Sequence, residues 1–155
     1  MLYSDVRVLV IDDKPHSRGT TVRLLRTMGI RKIAEAGDGA SGLEAYATLW
    51  PHVVVCDPDM KPVDGIVFLQ TMMAEKKYLA RIAPVIFLTA DATERHVTQA
   101  HRFGAAGYLL KPVSMRSLQR QIDSALAQSG DVYGESTHAV IATARLAPVG
   151  HSAGV

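Results

Sequence analysis

Several polar side chains of types used in metal and phosphoryl chemistry each come directly after a run of apolar residues. They comprise two adjacent carboxylates, a third carboxylate, a hydroxyl group and an ammonium group. If the apolar runs are strands of one parallel sheet, these groups meet at the edge formed by the carboxyl ends of the strands. In chain order they are Asp12 with Asp13, Asp57, Thr89 and Lys111.

Three carboxylates in one crevice favour binding of a cation. Carboxylates packed together repel each other, which raises their pKa values unless a positive charge neutralises them. Mg2+ fits best, because it binds a few carboxylates and keeps its other positions for water and phosphate. Each Asp alone could equally be a turn or helix-cap residue. The whole combination at one sheet edge instead predicts a shared magnesium site.

The apolar runs alternate with segments whose apolar residues have helical spacing. Continuous valine-rich runs such as 6–11 and 53–56 are typical of strands that are covered on both faces of a parallel sheet. The predicted strands cover residues 6–11, 32–36, 53–56, 84–88 and 107–110, and the predicted helices cover 15–28, 40–49, 64–77, 93–103 and a last segment that begins after the capping residue Ser114.

Strict alternation of strands and helices predicts an α/β protein with a doubly wound, five-stranded parallel sheet. A length of 155 residues is enough for one ordinary domain. The net charge of +2 is too small to indicate nucleic-acid binding, and a lone Cys56 excludes a disulfide framework within the chain. With no apolar run near the roughly 20 residues of a membrane span and no signal-peptide pattern, we expect a cytoplasmic protein without membrane contact.

Short motifs lie at the ends of the predicted strands and in the loops that follow them. They are Val10-Ile11-Asp12-Asp13, Val55-Cys56-Asp57, Met60, Asp64-Gly65, Leu88-Thr89-Ala90, Gly104-Ala105 and Tyr108-Leu109-Leu110-Lys111-Pro112. In these motifs, and over most of its length, the sequence resembles the receiver domains of bacterial two-component response regulators. This resemblance implies a flavodoxin-like (βα)5 receiver fold, and we assign residues 4–128 to the receiver domain.

The resemblance implies a phosphoacceptor and a metal site. Asp57 would attack a phosphohistidine on a partner and become an aspartyl phosphate. Mg2+ would be held by the carboxylates of Asp12, Asp13 and Asp57 together with the backbone carbonyl of Asp59. The ion would reduce the repulsion between the attacking carboxylate and the phosphoryl group.

The resemblance also implies groups that stabilise the phosphoryl group and respond to it. Lys111, the hydroxyl of Thr89 and the backbone amide of Ala90 would contact its oxygens. Thr89 would move inward on phosphorylation, and Tyr108 would then rotate from exposed to buried and alter the surface of the fourth helix, fifth strand and fifth helix. Tyr108 could also be an ordinary core aromatic, and the fourth helix an ordinary solvated helix. A cis peptide bond is expected before Pro112.

The loop after Asp57 departs from the family pattern. Lys61 stands where the family usually has proline, and Pro62 follows one position later. Pro58 lacks an N–H and cannot donate to a phosphoryl group. The resemblance implies that Asp59 and Asp91 add carboxylates beside the path of the water that would hydrolyse the aspartyl phosphate, so we hypothesise an atypical rate of dephosphorylation.

Residues 129–155 contain few charges and no recognisable motif. Within them, 136–147 could form a short helix, an added strand or part of a disordered tail, and a helix there could pack on the receiver or pair two chains. This segment is too short for a DNA-binding output domain. We therefore expect a single-domain regulator, monomeric or weakly dimeric, with no direct contact to nucleic acid.

The favoured interpretation is a signalling protein rather than an enzyme. It would take a phosphoryl group from a sensor histidine kinase or histidine phosphotransfer protein, act on a downstream protein target, and catalyse only its own phosphorylation and dephosphorylation. The alternative is a pseudo-receiver, an interaction module that works without phosphorylation. A magnesium-dependent phosphatase would need a separate general acid and a substrate pocket, and neither is recognisable in the sequence.

Overall fold

Five parallel strands form one sheet in the computed structural model of the chain, which describes residues 2–75, 82–91 and 93–129. The strands lie in the order β2-β1-β3-β4-β5, and every neighbouring pair is parallel. The predicted doubly wound, five-stranded sheet is therefore confirmed. In chain order the strands are β1 (Arg7–Ile11), β2 (Lys32–Ala36), β3 (Val53–Cys56), β4 (Val85–Thr89) and β5 (Gly107–Leu110).

A helix follows each strand, and a short 3-10 helix, Tyr3–Asp5, precedes β1. Side chains at the N-caps of four helices accept a hydrogen bond from a backbone amide of the first turn, which fixes where those helices begin. The helices are α1 (Pro15–Thr27), α2 (Gly39–Leu49), α3 (Gly65–Ala74), α4 (Glu94–Arg102) and α5 (Met115–Gln128), and the four capping residues are Asp38, Asp64, Thr93 and Ser114.

The third helix differs from its prediction. It ends at Ala74, because Glu75 is extended, and the predicted end at Lys77 lies outside the described residues. The apolar spacing of Ile66, Leu69 and Met73 predicts that all three face the core, but Met73 is 43% exposed, whereas Met72 is buried. The buried stripe follows Phe68, whose ring packs edge-on against a tyrosine of α2. The other predicted bounds agree to within one residue.

Side chains from alternate positions of β1 enter two cores, one on each face of the sheet. Val8 and Val10 pack with α1 and α5 on one face, and Leu9 and Ile11 pack with α2 and α3 on the other. All four side chains are almost fully buried. The centre of the sheet is therefore a rigid support for the residues that follow its strands.

None of the helices described is long and apolar enough to cross a membrane. Residues 130–155, including the segment 136–147, lie outside the described residues, so the boundary after residue 128 stays a prediction.

Two glycines are expected to respond in opposite directions to substitution by alanine. A Cβ at Gly19, inside α1, would meet nothing within 4 Å, whereas a Cβ at Gly65 would lie 2.7 Å from the carbonyl oxygen of Asp57. Alanine is the better helix former by about 0.8–1 kcal/mol. Gly19→Ala should therefore raise the free energy of unfolding in urea by about 0.5–1 kcal/mol, and Gly65→Ala should lower it by about 1–3 kcal/mol. Equal effects of the two variants would contradict this account.

Candidate functional site

Three carboxylates meet where β1 and β3 end. These strands are neighbours, with Ile11 opposite Cys56, so the residues that follow them are adjacent in space. Asp12, Asp13 and Asp57 each offer an oxygen, and these oxygens all lie within 4.8 Å of one another. Asp12 is 3% exposed and Asp57 4%. The structure thus brings together the three carboxylates that the sequence predicted to share a site.

The ammonium group of Lys111 neutralises part of this negative charge. Its Nζ donates to Oδ2 of Asp12 and to Oδ2 of Asp57, each at 2.9 Å. Lys111 follows β5, which is separated from β3 by β4, so the long side chain reaches across the end of β4. The Lys111–Pro112 peptide bond is cis, as the family resemblance implied.

A second lysine at the site was missed in the sequence. The Nζ of Lys14 lies 3.2 Å from Oδ1 of Asp13 and 3.6 Å from Oδ2 of Asp57. The backbone amide of Lys14 donates to Oδ1 of Asp12 at 2.9 Å. The position of Lys14 directly after two acidic residues could have indicated an ion pair at the site. A lysine in such a turn is, however, also common as an ordinary solvated residue.

The contacts of the two lysines affect the pKa values of their partners. Burial alone would raise the pKa of Asp12, but hydrogen bonds from the amide of Lys14 and from Lys111 hold that pKa below its usual value. Partial burial would lower the pKa of Lys14, but the carboxylates of Asp13 and Asp57 raise it. Both groups are therefore held in their charged forms.

The loop after Asp57 contacts the carboxylate of Asp57 despite its unusual sequence. The amide of Asp59 donates to Oδ1 of Asp57 at 2.8 Å, and the amide of Gly65 donates to the carbonyl oxygen of Pro58 at 3.0 Å. A cis peptide bond joins Lys61 to Pro62, which was not predicted. Because Gly65 has no side chain, the start of α3 can approach the backbone of Asp57 closely. The backbone carbonyl of Asp59 as a metal ligand stays a prediction.

The hydroxyl of Thr89 at the end of β4 is fully buried and already has partners. It accepts a hydrogen bond from the amide of Asp91 at 3.1 Å. Its single proton has two acceptors in range, Oδ2 of Asp59 at 3.2 Å and the carbonyl oxygen of Asp91 at 3.0 Å. Ala90, the next residue, is exposed at the same sheet edge.

Tyr108 on β5 is buried in this structure. Its ring packs edge-on against Phe87, with 6.3 Å between the ring centroids. Its hydroxyl donates to the carbonyl oxygen of Asp91 at 3.3 Å, and burial raises its pKa. Tyr108 and Thr89 therefore share one acceptor, the backbone carbonyl of Asp91, which gives a direct physical link between the two predicted switch residues.

The fold is that of a receiver domain, and residues 8–123 match the response regulator receiver domain family. The chain is 31% identical over 119 residues to a probable chemotaxis protein CheY of Rhizobium etli, covering 77% of this chain and 91% of that protein. It is 28% identical over 123 residues to the chemotaxis protein CheY-3 of Vibrio cholerae, covering 79% and 93%. The chain belongs to the response regulator receiver family and is thus a signalling protein of a two-component system.

Solved structures show the same architecture. CheY in the CheX-CheY-BeF3-Mg2+ complex from Borrelia burgdorferi matches with a TM-score of 0.69 at 25% identity, covering 77% of this chain and 87% of that chain. The signal receiver domain of the putative response regulator NarL from Mycobacterium tuberculosis matches with a TM-score of 0.66 at 29% identity, covering 82% and 98%. The flavodoxin-like receiver fold is confirmed.

Replacing Lys111 by methionine should make the free energy of unfolding less dependent on pH in the acid range. Because the pKa of Asp12 is lowered in the folded chain, its ionised form stabilises the fold above about pH 4, and this stability is lost as the pH falls through the folded pKa. Lys111→Met removes one contact that lowers this pKa. We expect a loss of about 1–3 kcal/mol in the free energy of unfolding at pH 7 without divalent ions, shrinking below pH 4.

The matched control is Lys32→Met, which removes the same charge at the opposite edge of the sheet, where Lys32 pairs with an exposed aspartate. Its effect should be small at every pH. If the loss in the free energy of unfolding caused by Lys111→Met stays constant between pH 7 and pH 3.5, Lys111 does not act by stabilising the ionised form of Asp12.

Proposed function

We propose that the chain is a phosphoacceptor response regulator in which Asp57 receives a phosphoryl group from a phosphohistidine. The donor would be a sensor histidine kinase or a histidine phosphotransfer protein. In the transfer, an oxygen of Asp57 bonds to phosphorus while the P–N bond breaks, and the histidine nitrogen keeps the electron pair. This role would place the chain in the cytoplasm, with its partners.

The observation that carries this proposal is the environment of the Asp57 carboxylate. One oxygen accepts from Lys111 and the other from the amide of Asp59. These contacts fix the orientation of the carboxylate directly after the end of β3, next to two further carboxylates. An interaction module that works without phosphorylation requires none of this arrangement.

The donor set fits Mg2+. Carboxylate oxygens are ligands that this hard cation prefers, and Asp12, Asp13 and Asp57 would hold it together with the backbone carbonyl of Asp59. When bound, the ion supplies positive charge that reduces the repulsion between the acceptor carboxylate and the incoming phosphoryl group. A receiver relative, the Borrelia burgdorferi CheY, was solved with BeF3 and Mg2+, which supports this proposal.

The chain's own donors would stabilise the charge on the transferred group. Lys111 stands beside the acceptor oxygen of Asp57 and can turn its ammonium group to a phosphoryl oxygen. The hydroxyl of Thr89 and the backbone amide of Ala90 would supply two more donors. Phosphoryl transfer depends mostly on such positioning and charge stabilisation, so these residues would carry the catalysis of a reaction that the chain performs only on itself.

A partner would read the phosphorylated state on the face formed by α4, β5 and α5, here called the output face. Leu110 and Met115 on this face are 44% and 40% exposed, although both are apolar. Apolar groups surrounded by charge are typical of surfaces that bind proteins. The exposed cationic side chains described on this face include Arg95, Arg102, Arg116 and Arg120. We propose that a downstream protein target binds this face.

We also propose that the chain is monomeric or weakly dimeric.

The central test is phosphorylation by a small acyl phosphate. The wild-type chain, incubated with Mg2+ and acetyl phosphate, should gain one phosphoryl group by intact-mass spectrometry. Asp57→Asn, which keeps the shape of the side chain, should gain none, and chelation of Mg2+ should abolish the gain in the wild type. A folded wild-type chain that gains no phosphoryl group would refute the proposal and favour a pseudo-receiver.

A second test separates phosphorylation from signal transmission. Thr89→Val keeps the side-chain shape but removes one of the three proposed donors. Because Lys111 and the amide of Ala90 remain, the variant should still be phosphorylated on Asp57, although more slowly than the wild type. The amide NMR shifts that phosphorylation causes at Tyr108 and Leu110 should be reduced at least severalfold. Thr89→Ser keeps a hydroxyl and should retain these shifts. Full shifts in phosphorylated Thr89→Val would show that Thr89 does not couple the two sites.

A further inference from the structure

Lys14 occupies a position that the local helix does not explain. It is the N-cap of α1, and its side chain makes no capping hydrogen bond. The best N-cap residues have a side-chain oxygen that accepts from the first-turn amides, which a lysine lacks. A positive charge at this end also opposes the helix dipole. The reason for a lysine here must therefore be sought outside α1.

The ion pairs of Lys14 supply such a reason. Its ammonium group contacts two of the three carboxylates that form the metal site, Asp13 at 3.2 Å and Asp57 at 3.6 Å. Lys111 contacts Asp57 and the third carboxylate, Asp12. With three carboxylates and two ammonium groups, the site has a net charge of −1 (−3 + 2), and without Lys14 it would have −2.

This charge count matters for a divalent cation. The same oxygens that attract the ion are already paired with Lys14, so binding must break or weaken these ion pairs. An ammonium group that stays nearby also repels the ion directly. Because the side chain of Lys14 is 61% exposed, it can swing into solvent when the ion enters, and the repulsion is screened by salt.

We propose that Lys14 is a resident counter-ion that competes with the divalent ion and sets the metal concentration at which the site fills. This inference rests on the proposed metal site. Lys111 is held by two buried carboxylates and stays in place, whereas Lys14 is the exposed cation that the ion displaces. Lys14 is therefore a residue that tunes metal binding, and it needs no role in the bond-making step.

The test is a titration of the full chain with Mg2+ alone, followed by amide NMR shifts at low ionic strength. Lys14→Met keeps the apolar stem without the charge and should bind Mg2+ roughly three- to tenfold more tightly than the wild type. Lys14→Arg keeps the charge and should bind like the wild type. Lys32→Met changes the net charge equally at the far edge of the sheet and should leave the affinity unchanged. The gain of Lys14→Met should shrink as NaCl is added.

The outcomes separate this inference from the proposed function. If the wild type binds Mg2+ and Asp13→Asn weakens that binding, the metal site stands. If Lys14→Met then binds no more tightly than Lys32→Met, competition by Lys14 is refuted. If neither the wild type nor Lys14→Met binds Mg2+, the metal site and the inference fail together. The same spectra show whether each variant is folded.

Discussion

Mutual repulsion of three carboxylates at one sheet edge is the constraint on which the site depends. Asp12 and Asp57 are almost fully buried, so neither charge is well solvated, and a buried charge is tolerated only when it is paired. The ammonium group of Lys111 meets this need, because it is 2.9 Å from an oxygen of each. The residual negative charge leaves the crevice attractive to a further cation, which the proposed function requires.

The order of the strands decides which groups can meet. β1 and β3 are neighbours, so two turns after adjacent strands deliver all three carboxylates. β5 lies beyond β4, and only a long side chain at its end can reach the carboxylates. A shorter cationic or polar side chain at position 111 could not bridge Asp12 and Asp57. The fold thus requires a long cationic side chain at this position.

The carboxylates and Lys111 could be predicted because each follows a recognisable apolar strand. Lys14 could not, since its contacts depend on the turn into α1 rather than on periodicity. The wrong prediction for Met73 has a similar origin, because α3 has two overlapping apolar stripes that differ by one residue. The buried stripe contains Phe68, which packs against α2. The hydrogen bond from Tyr108 to the backbone carbonyl of Asp91 could not be predicted either, because every residue type has a backbone carbonyl.

The hydrogen bonds of Thr89 suggest how a phosphoryl group would be sensed under the proposed function. Its hydroxyl has one proton, which Asp59 and the carbonyl of Asp91 can each accept. A phosphoryl oxygen that accepts the hydrogen bond of this hydroxyl must replace both of these acceptors. The carbonyl of Asp91 would then be left to Tyr108 alone, whose hydroxyl already donates to it. A change of acceptor by the Thr89 hydroxyl would therefore favour the buried position of Tyr108. The hydrogen bonds of Thr89 would in this way link the chemistry at Asp57 to the output face.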